Sequence, residues 1–129
     1  MTIFKRNLTS KILEDTALEV LSKKSTCRKC LEVGCGDFNI SSNLFKNFPS
    51  WSFSGSDISD EAINIAVKND IKNIFDLRVG ELFEPWVGEK FDIIISDVAS
   101  ISEVVASYTD WYDGVSCNTG LDGMLLIEK

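Results

Sequence analysis

Leu31-Glu32-Val33-Gly34-Cys35-Gly36-Asp37-Phe38-Asn39 is the stretch around which the rest of the chain is organised. A short apolar run, Cys30–Val33, stops at a Gly-x-Gly, and helix-compatible sequence begins at once behind it. This is the pattern of a strand, a tight turn and the start of a helix. Glycine lets the backbone of such a turn come close to a ligand, because no Cβ stands in the way. The helix N-terminus that follows offers unpaired N–H groups to something polar or anionic.

Outward from this stretch the chain alternates between strand and helix patterns. Upstream, Ser10–Lys24 carries Ile12, Leu13, Ala17, Val20 and Leu21 on one helical face, with Ser10 as N-cap, and Ser22–Lys29 links it to the first strand. Downstream, Ser41–Phe48 reads as a helix with Leu44, Phe45 and Phe48 inward, stopped by Pro49. Trp51–Ser56 is a strand ending at Asp57, and Ser59 caps a helix whose Ala62, Ile63, Ile65, Ala66 and Val67 form the buried face. Asp60 and Glu61 in its first turn suit the helix dipole. Ile74–Val79 is a third strand, Phe83–Glu89 a loop, and Phe91–Ser96 a strand so apolar that it predicts burial on both faces, as in a central parallel strand. Ser100-Ile-Ser-Glu103 matches a capping box for a helix through Val104, Val105 and Tyr108 towards Trp111, and Met124–Ile127 reads as a last apolar strand. The alternation predicts an α/β domain with a parallel sheet. A single domain is expected over 1–129, with a leading helix and linker in 1–29 and a cofactor-binding α/β core in 30–129.

Composition narrows the function classes. With 129 residues, 44% hydrophobic and 26% charged, the chain can bury an ordinary globular core. Its net charge of −7 makes nucleic acid a poor partner. No apolar run approaches the ~20 residues that span a bilayer, and Lys5 and Arg6 are not followed by an apolar signal-peptide region. The expected compartment is the cytoplasm. Among the four cysteines, Cys27 and Cys30 form a Cys-x-x-Cys. A zinc site needs about four ligands, and the chain has neither a second such pair nor any histidine. Reduced structural thiols and no metal site are therefore expected.

In a right-handed parallel α/β domain the ligand site lies at the carboxyl ends of the strands. Glu32, Asp57, Glu81 and Asp97 stand at those ends. Their mutual repulsion is unfavourable unless a ligand supplies donors or positive charge. Asp57 follows the glycines by about 20 residues, where a carboxylate can take both hydroxyls of a ribose. That fits any adenosine cofactor. The sixth position of the NAD fingerprint is Asn39 rather than glycine. Glu32, two residues before the first glycine, is expected to face the ligand side of the turn, repelling a pyrophosphate and tolerating an ammonium and a sulfonium.

The series Glu-Val-Gly-Cys-Gly (32–36), Ser-Asp-Ile-Ser (56–59), Val-Gly-Glu-Leu-Phe (79–83) and Phe-Asp-Ile-Ile-Ile-Ser-Asp (91–97) resembles the ordered motifs of class I S-adenosylmethionine-dependent methyltransferases. The resemblance covers about Cys30–Lys129. It implies a Rossmann-like sheet in the order 3-2-1-4-5 with helices on both faces. It further implies that Glu32, Gly34, Cys35 and Gly36 line the methionine part of the cofactor. Asp57 then holds the ribose, Ile58 covers the adenine, Glu81 and Leu82 meet the adenine edge, and Asp97 sits near the methyl and amino groups. Three departures accompany it. Phe38 replaces the third glycine of the family's turn and is expected to narrow it. Asp97-Val-Ala-Ser100 replaces the Asn-Pro-Pro-Tyr of the related release-factor glutamine methyltransferases, so glutamine methylation does not carry over. The antiparallel strand pair that closes the family sheet is expected to be missing after the fifth strand.

The function implied is methyl transfer from S-adenosylmethionine to a small molecule or a protein side chain. With no histidine in the chain, Asp97 is the first candidate base, ahead of Asp110, Tyr108 and Tyr112. Trp111 and Tyr112 either flank a substrate or pack in the core. Two other readings stand beside this one: a catalytically silent or truncated cofactor-binding module completed by a partner chain, and a nucleotide-binding oxidoreductase domain, which Glu32 and Asn39 disfavour. An apolar last strand with an unpaired edge further predicts pairing with a second copy or a completing chain.

Overall fold

The computed structural model describes residues 6–24, 26, 28–97, 103–108, 120–121 and 124–129. The chain divides into two units, residues 6–97 and residues 98–129 together with 1–5.

In the first unit the elements follow the order α1 (Leu8–Ser22), β1 (Lys29–Val33), α2 (Asn39–Asn47), β2 (Ser52–Asp57), α3 (Asp60–Asn69), β3 (Asp76–Val79), a 3-10 turn (Glu84–Trp86) and β4 (Ile93–Ser96). Among the described residues the strands form one four-stranded sheet in the order β3-β2-β1-β4. All pairs are parallel: Glu32 of β1 lies opposite Gly55 of β2 and Ile95 of β4, and Asp57 lies opposite Val79. This is the expected Rossmann-like class and its strand order 3-2-1-4.

The pleat of β1 sorts the two faces. Cys30 meets a core built by Ala17 and Leu21 of α1, Ile40 and Leu44 of α2, and Ile63 and Ala66 of α3, with Phe53 and Ile95 from the neighbouring strands. Leu31 and Val33 turn to the opposite face, where buried Trp86 covers them with Leu82 and Phe91. Three contacts hold that cover. The Trp86 indole N–H donates to Ser56 Oγ at 2.9 Å. The Arg78 guanidinium lies 4.1 Å over the indole ring, and it donates to the Pro85 carbonyl at 2.7 Å. The stretch read as the loop Phe83–Glu89 is therefore a short turn anchored by a core tryptophan.

Several expectations are corrected. The N-cap of α1 is Asn7, not Ser10: the Asn7 side chain accepts from the Ser10 N–H at 3.2 Å, and Ser10 returns the bond as the third residue of the first turn. Ile12 and Val20 of that helix face outward, at 55% and 38% exposure. The strand β4 is not central among the described residues. It pairs with β1 alone, and Ile94 is half exposed while Ile95 is buried. An apolar run signals burial without saying which neighbour provides it. Met124–Ile127 is a turn rather than a fifth strand, because the Ile127 and Glu128 N–H groups both donate to the Met124 carbonyl. Those local bonds occupy groups that a ladder needs, so the edge expected to recruit another chain is not formed there. Beyond 97, α4 (Glu103–Ala106) is a single helical turn; of the expected capping box, Glu103 is its first residue and Ser100 lies outside the described residues.

Phe38 does not narrow the glycine turn. Its ring is turned into the core, 1% exposed, edge-on to Phe75 at 5.0 Å. Gly55 makes the space for it: a Cβ there would meet Phe38 Cε2 at 2.5 Å and Cδ2 at 2.7 Å. Gly55→Ala is expected to destabilise the domain by roughly 1–3 kcal/mol through overpacking, and adding Phe38→Leu should recover part of the loss. Urea unfolding reads both changes; a Gly55→Ala protein as stable as the parent would mean that the ring is not seated there.

Candidate active site

The parallel register brings the ends of the strands to one edge. Val33 lies opposite Ser56 on one side and Ser96 on the other, and Asp57 opposite Val79. The turn after β1 is left-handed at Gly34 (φ 67°) and Gly36 (φ 55°), backbone that glycine adopts at little cost. Phe38 is left-handed too (φ 64°). For a residue with a Cβ this costs roughly 1–2 kcal/mol, which burial of the ring offsets.

Two bonds fasten the turn to β2. The Cys35 N–H donates to the Ser56 carbonyl at 3.0 Å, and the Gly36 N–H donates to Asp57 Oδ2 at 2.8 Å. Asp57 Oδ1 accepts from the Ser59 N–H at 2.9 Å. Half-buried Asp57 thus ties the glycine turn to the start of α3. Its carboxylate oxygens each keep a lone pair for a further donor. The Gly80 N–H donates to the Asp57 carbonyl at 3.0 Å, which brings Glu81 and Leu82 to the same edge. Leu82 is left-handed (φ 46°), half-buried and packed on the Leu31, Val33 and Trp86 cluster. Ile58 is an apolar side chain left 66% exposed beside Asp57.

Glu32 is the main correction at this edge. Its side chain is not open on the turn as expected; it is 3% exposed and bonded to the N-terminus of α2. Oε1 accepts from the Ser41 hydroxyl at 2.6 Å and from the Ser41 N–H at 3.2 Å. Phe38, the N-cap of α2, has no side-chain cap bond, so Glu32 supplies that bond from β1. Burial pushes its carboxyl up to about 8, against the downward pull of the Ser41 bonds. Below that pH the group is mostly neutral, and the expected repulsion of a pyrophosphate does not follow. The Cys35 side chain also faces the core, where burial raises its thiol far above the usual range. Cys30 is fully buried and its thiol pushed up to about 12, chiefly by burial; Cys27 lies outside the described residues.

Asp97, half-buried at the end of β4, accepts from the Ser10 hydroxyl at 3.0 Å, with Thr9 Oγ1 at 3.3 and 3.4 Å from its two oxygens. The structure therefore gathers Gly34, Gly36, Asp57, Ile58, Glu81, Leu82 and Asp97 at the strand ends and places Glu32 and the Cys35 side chain behind them. Asp110, Trp111 and Tyr112 lie outside the described residues, and Tyr108 belongs to the second unit. Sequence reasoning missed the supporting hydroxyls of Ser10, Ser41 and Ser56 and the anchor Trp86. Only Trp86 carried a signal, as a large aromatic in a segment otherwise read as loop.

A parallel sheet with a glycine turn and acidic residues at its carboxyl edge defines a Rossmann-like cofactor-binding domain. Residues 24–119 match the family described as a methyltransferase domain, and the chain belongs to the class I S-adenosylmethionine-dependent methyltransferases. It is similar to the release factor glutamine methyltransferases of Streptococcus pneumoniae, 40% identical over 56% of this chain and 26% of that enzyme, and of Agrobacterium fabrum, 34% identical over 76% and 36%. Among solved structures it resembles the ribosomal protein L11 methylase of Lactobacillus delbrueckii subsp. bulgaricus, with a TM-score of 0.54 and 26% identity over 70% of this chain and 46% of that one. The matches span about a quarter to about a third of the curated relatives' length.

Proposed function

We propose that this domain binds S-adenosylmethionine at the strand ends and transfers its methyl group to a protein side chain or a small molecule. The observation that carries the proposal is the left-handed Gly34-Cys35-Gly36 turn held by Asp57 at the carboxyl edge of the sheet. A turn without Cβ atoms at its two glycines admits the methionine portion closely. Asp57 accepts the ribose hydroxyls, Ile58 covers one adenine face, and Glu81 and Leu82 border the ring. Asp97 meets the cofactor's amino group and serves as base where the acceptor must lose a proton. When bound, the cofactor supplies a methyl group on an already activated sulfonium, so the protein's task is alignment and exclusion of water.

The family match runs from 24 to 119, across the junction between the two units, which supports assigning 1–129 to one methyltransferase domain. The acceptor differs from the glutamine of the named relatives, because Asp97-Val-Ala-Ser100 lacks the amide-recognising Asn-Pro-Pro-Tyr. Among the described residues no helix is long and apolar enough to cross a membrane, and buried free Cys30 and Cys35 suit the cytoplasm as the proposed setting.

Calorimetry with S-adenosylmethionine, S-adenosylhomocysteine and NAD tests the cofactor. The first two should bind and NAD far more weakly, because Asn39 stands where the NAD fingerprint has its last glycine; tight NAD binding with no response to S-adenosylhomocysteine would overturn the proposal. A methyl-release assay over a panel of protein and small-molecule acceptors tests the transfer.

A further inference from the structure

The hydroxyl of Ser10 reaches Asp97 from a distant part of the chain. Ser10 is 4% exposed, in the first turn of α1, and its Oγ lies 3.0 Å from Asp97 Oδ2. The other acceptor within reach, Asn7 Oδ1, is farther at 3.4 Å, so the single hydroxyl proton goes to Asp97. Thr9 is differently placed. Its hydroxyl lies 2.6 Å from Asn7 Oδ1 and no nearer than 3.3 Å to Asp97, and its proton is committed to Asn7. Ser10 is therefore the effective donor of this pair. On the other side, Ser96 fixes the strand end: its Oγ donates to the Val33 carbonyl at 2.9 Å, one residue before the glycine turn. Asp97 is thus held from two directions beside the place where a ligand's backbone-like portion would lie. Among the described residues its Oδ1 has only the long contact with Thr9, at 3.4 Å. A carboxylate with one oxygen tied to a buried hydroxyl and the other open is arranged to meet a cation from the ligand side.

We infer that Ser10 is a positioning residue: from α1 it orients the Asp97 carboxylate so that the open oxygen meets the α-ammonium group of the bound cofactor. This rests on the methyltransferase reading of the site. It makes the leading helix part of ligand recognition, although no residue of α1 belongs to the glycine turn or the strand ends.

The test compares two ligands that differ at the relevant group. S-adenosylhomocysteine carries the α-ammonium; 5′-methylthioadenosine has the same adenosine and thioether but lacks the amino-acid portion. Calorimetry should show Ser10→Ala binding S-adenosylhomocysteine about tenfold more weakly, the scale of one hydrogen bond to a charged group, with 5′-methylthioadenosine affinity unchanged. Ser10→Thr, which keeps the hydroxyl, should retain the parent's preference between the two. Loss of both ligands to the same extent in Ser10→Ala would show a purely structural role and overturn the inference, as would no loss of either. If the parent protein binds neither ligand, the methyltransferase reading itself fails and this inference falls with it; binding of both by the parent separates the two outcomes.

Discussion

Replacing Asp57 with alanine is expected to weaken S-adenosylhomocysteine binding by about 100- to 1,000-fold, roughly 3–4 kcal/mol. The size follows from two losses at one carboxylate. In the bound state two ribose hydroxyls donate to it, each a charge-assisted bond worth roughly 1.5–3 kcal/mol. In the free protein the same group accepts the Gly36 N–H at 2.8 Å and the Ser59 N–H at 2.9 Å. Alanine therefore removes the ribose contact and also releases the glycine turn from β2. Asp57→Asn keeps one acceptor oxygen but presents an amide N–H to the other partner, and should fall between the two. Calorimetry gives the affinities, and a thermal melt shows whether each variant remains folded. Parent-like affinity in a folded Asp57→Ala protein would place the cofactor somewhere other than the strand ends.

The second large effect concerns Glu32 and pH. In the unfolded chain this carboxyl titrates near the ordinary glutamate value, whereas in the fold burial pushes it up to about 8. A raised folded value means that the native state holds a proton that the unfolded chain releases. The stability this contributes is fully present below the unfolded value and is lost as pH rises through the window up to about 8. Within that window the slope is at most roughly 1.4 kcal/mol per pH unit. Glu32→Gln carries the neutral shape permanently. It should match the parent near pH 4, exceed it near pH 8, and flatten the dependence of urea-unfolding stability between them. Glu32→Ala should cost roughly 2–4 kcal/mol near pH 4, since it strands the Ser41 N–H and hydroxyl in the interior and leaves a cavity, and the difference from the parent should shrink as pH rises. If Glu32→Gln keeps the parent's pH slope, the carboxyl is already ionised in the fold and its surroundings are wetter than the structure indicates.

Local pattern by itself determined a good deal about this protein. The Gly-x-Gly after an apolar run, the acids closing successive apolar segments and the alternation of the two periodicities were enough for a parallel α/β domain. They were also enough for the 3-2-1-4 order, through resemblance, and for the family. These signals are local because turn chemistry and strand burial are decided by neighbours in sequence. Side-chain direction at the site was decided only by tertiary structure. Glu32 lies on the helix-facing side of β1, and whether it meets ligand or protein depends on Ser41, nine residues on in another element. Phe38 could have filled the turn; Gly55 on β2 opened a place for it in the core instead. The apolar β4 proved to be an edge strand among the described residues, and apolar Met124–Ile127 a turn, because hydrophobicity records removal from water and not the partner that achieves it. The bond from Ser10 to Asp97 spans 87 positions and had no trace in any motif, since only the folded packing of α1 against β4 brings the two together.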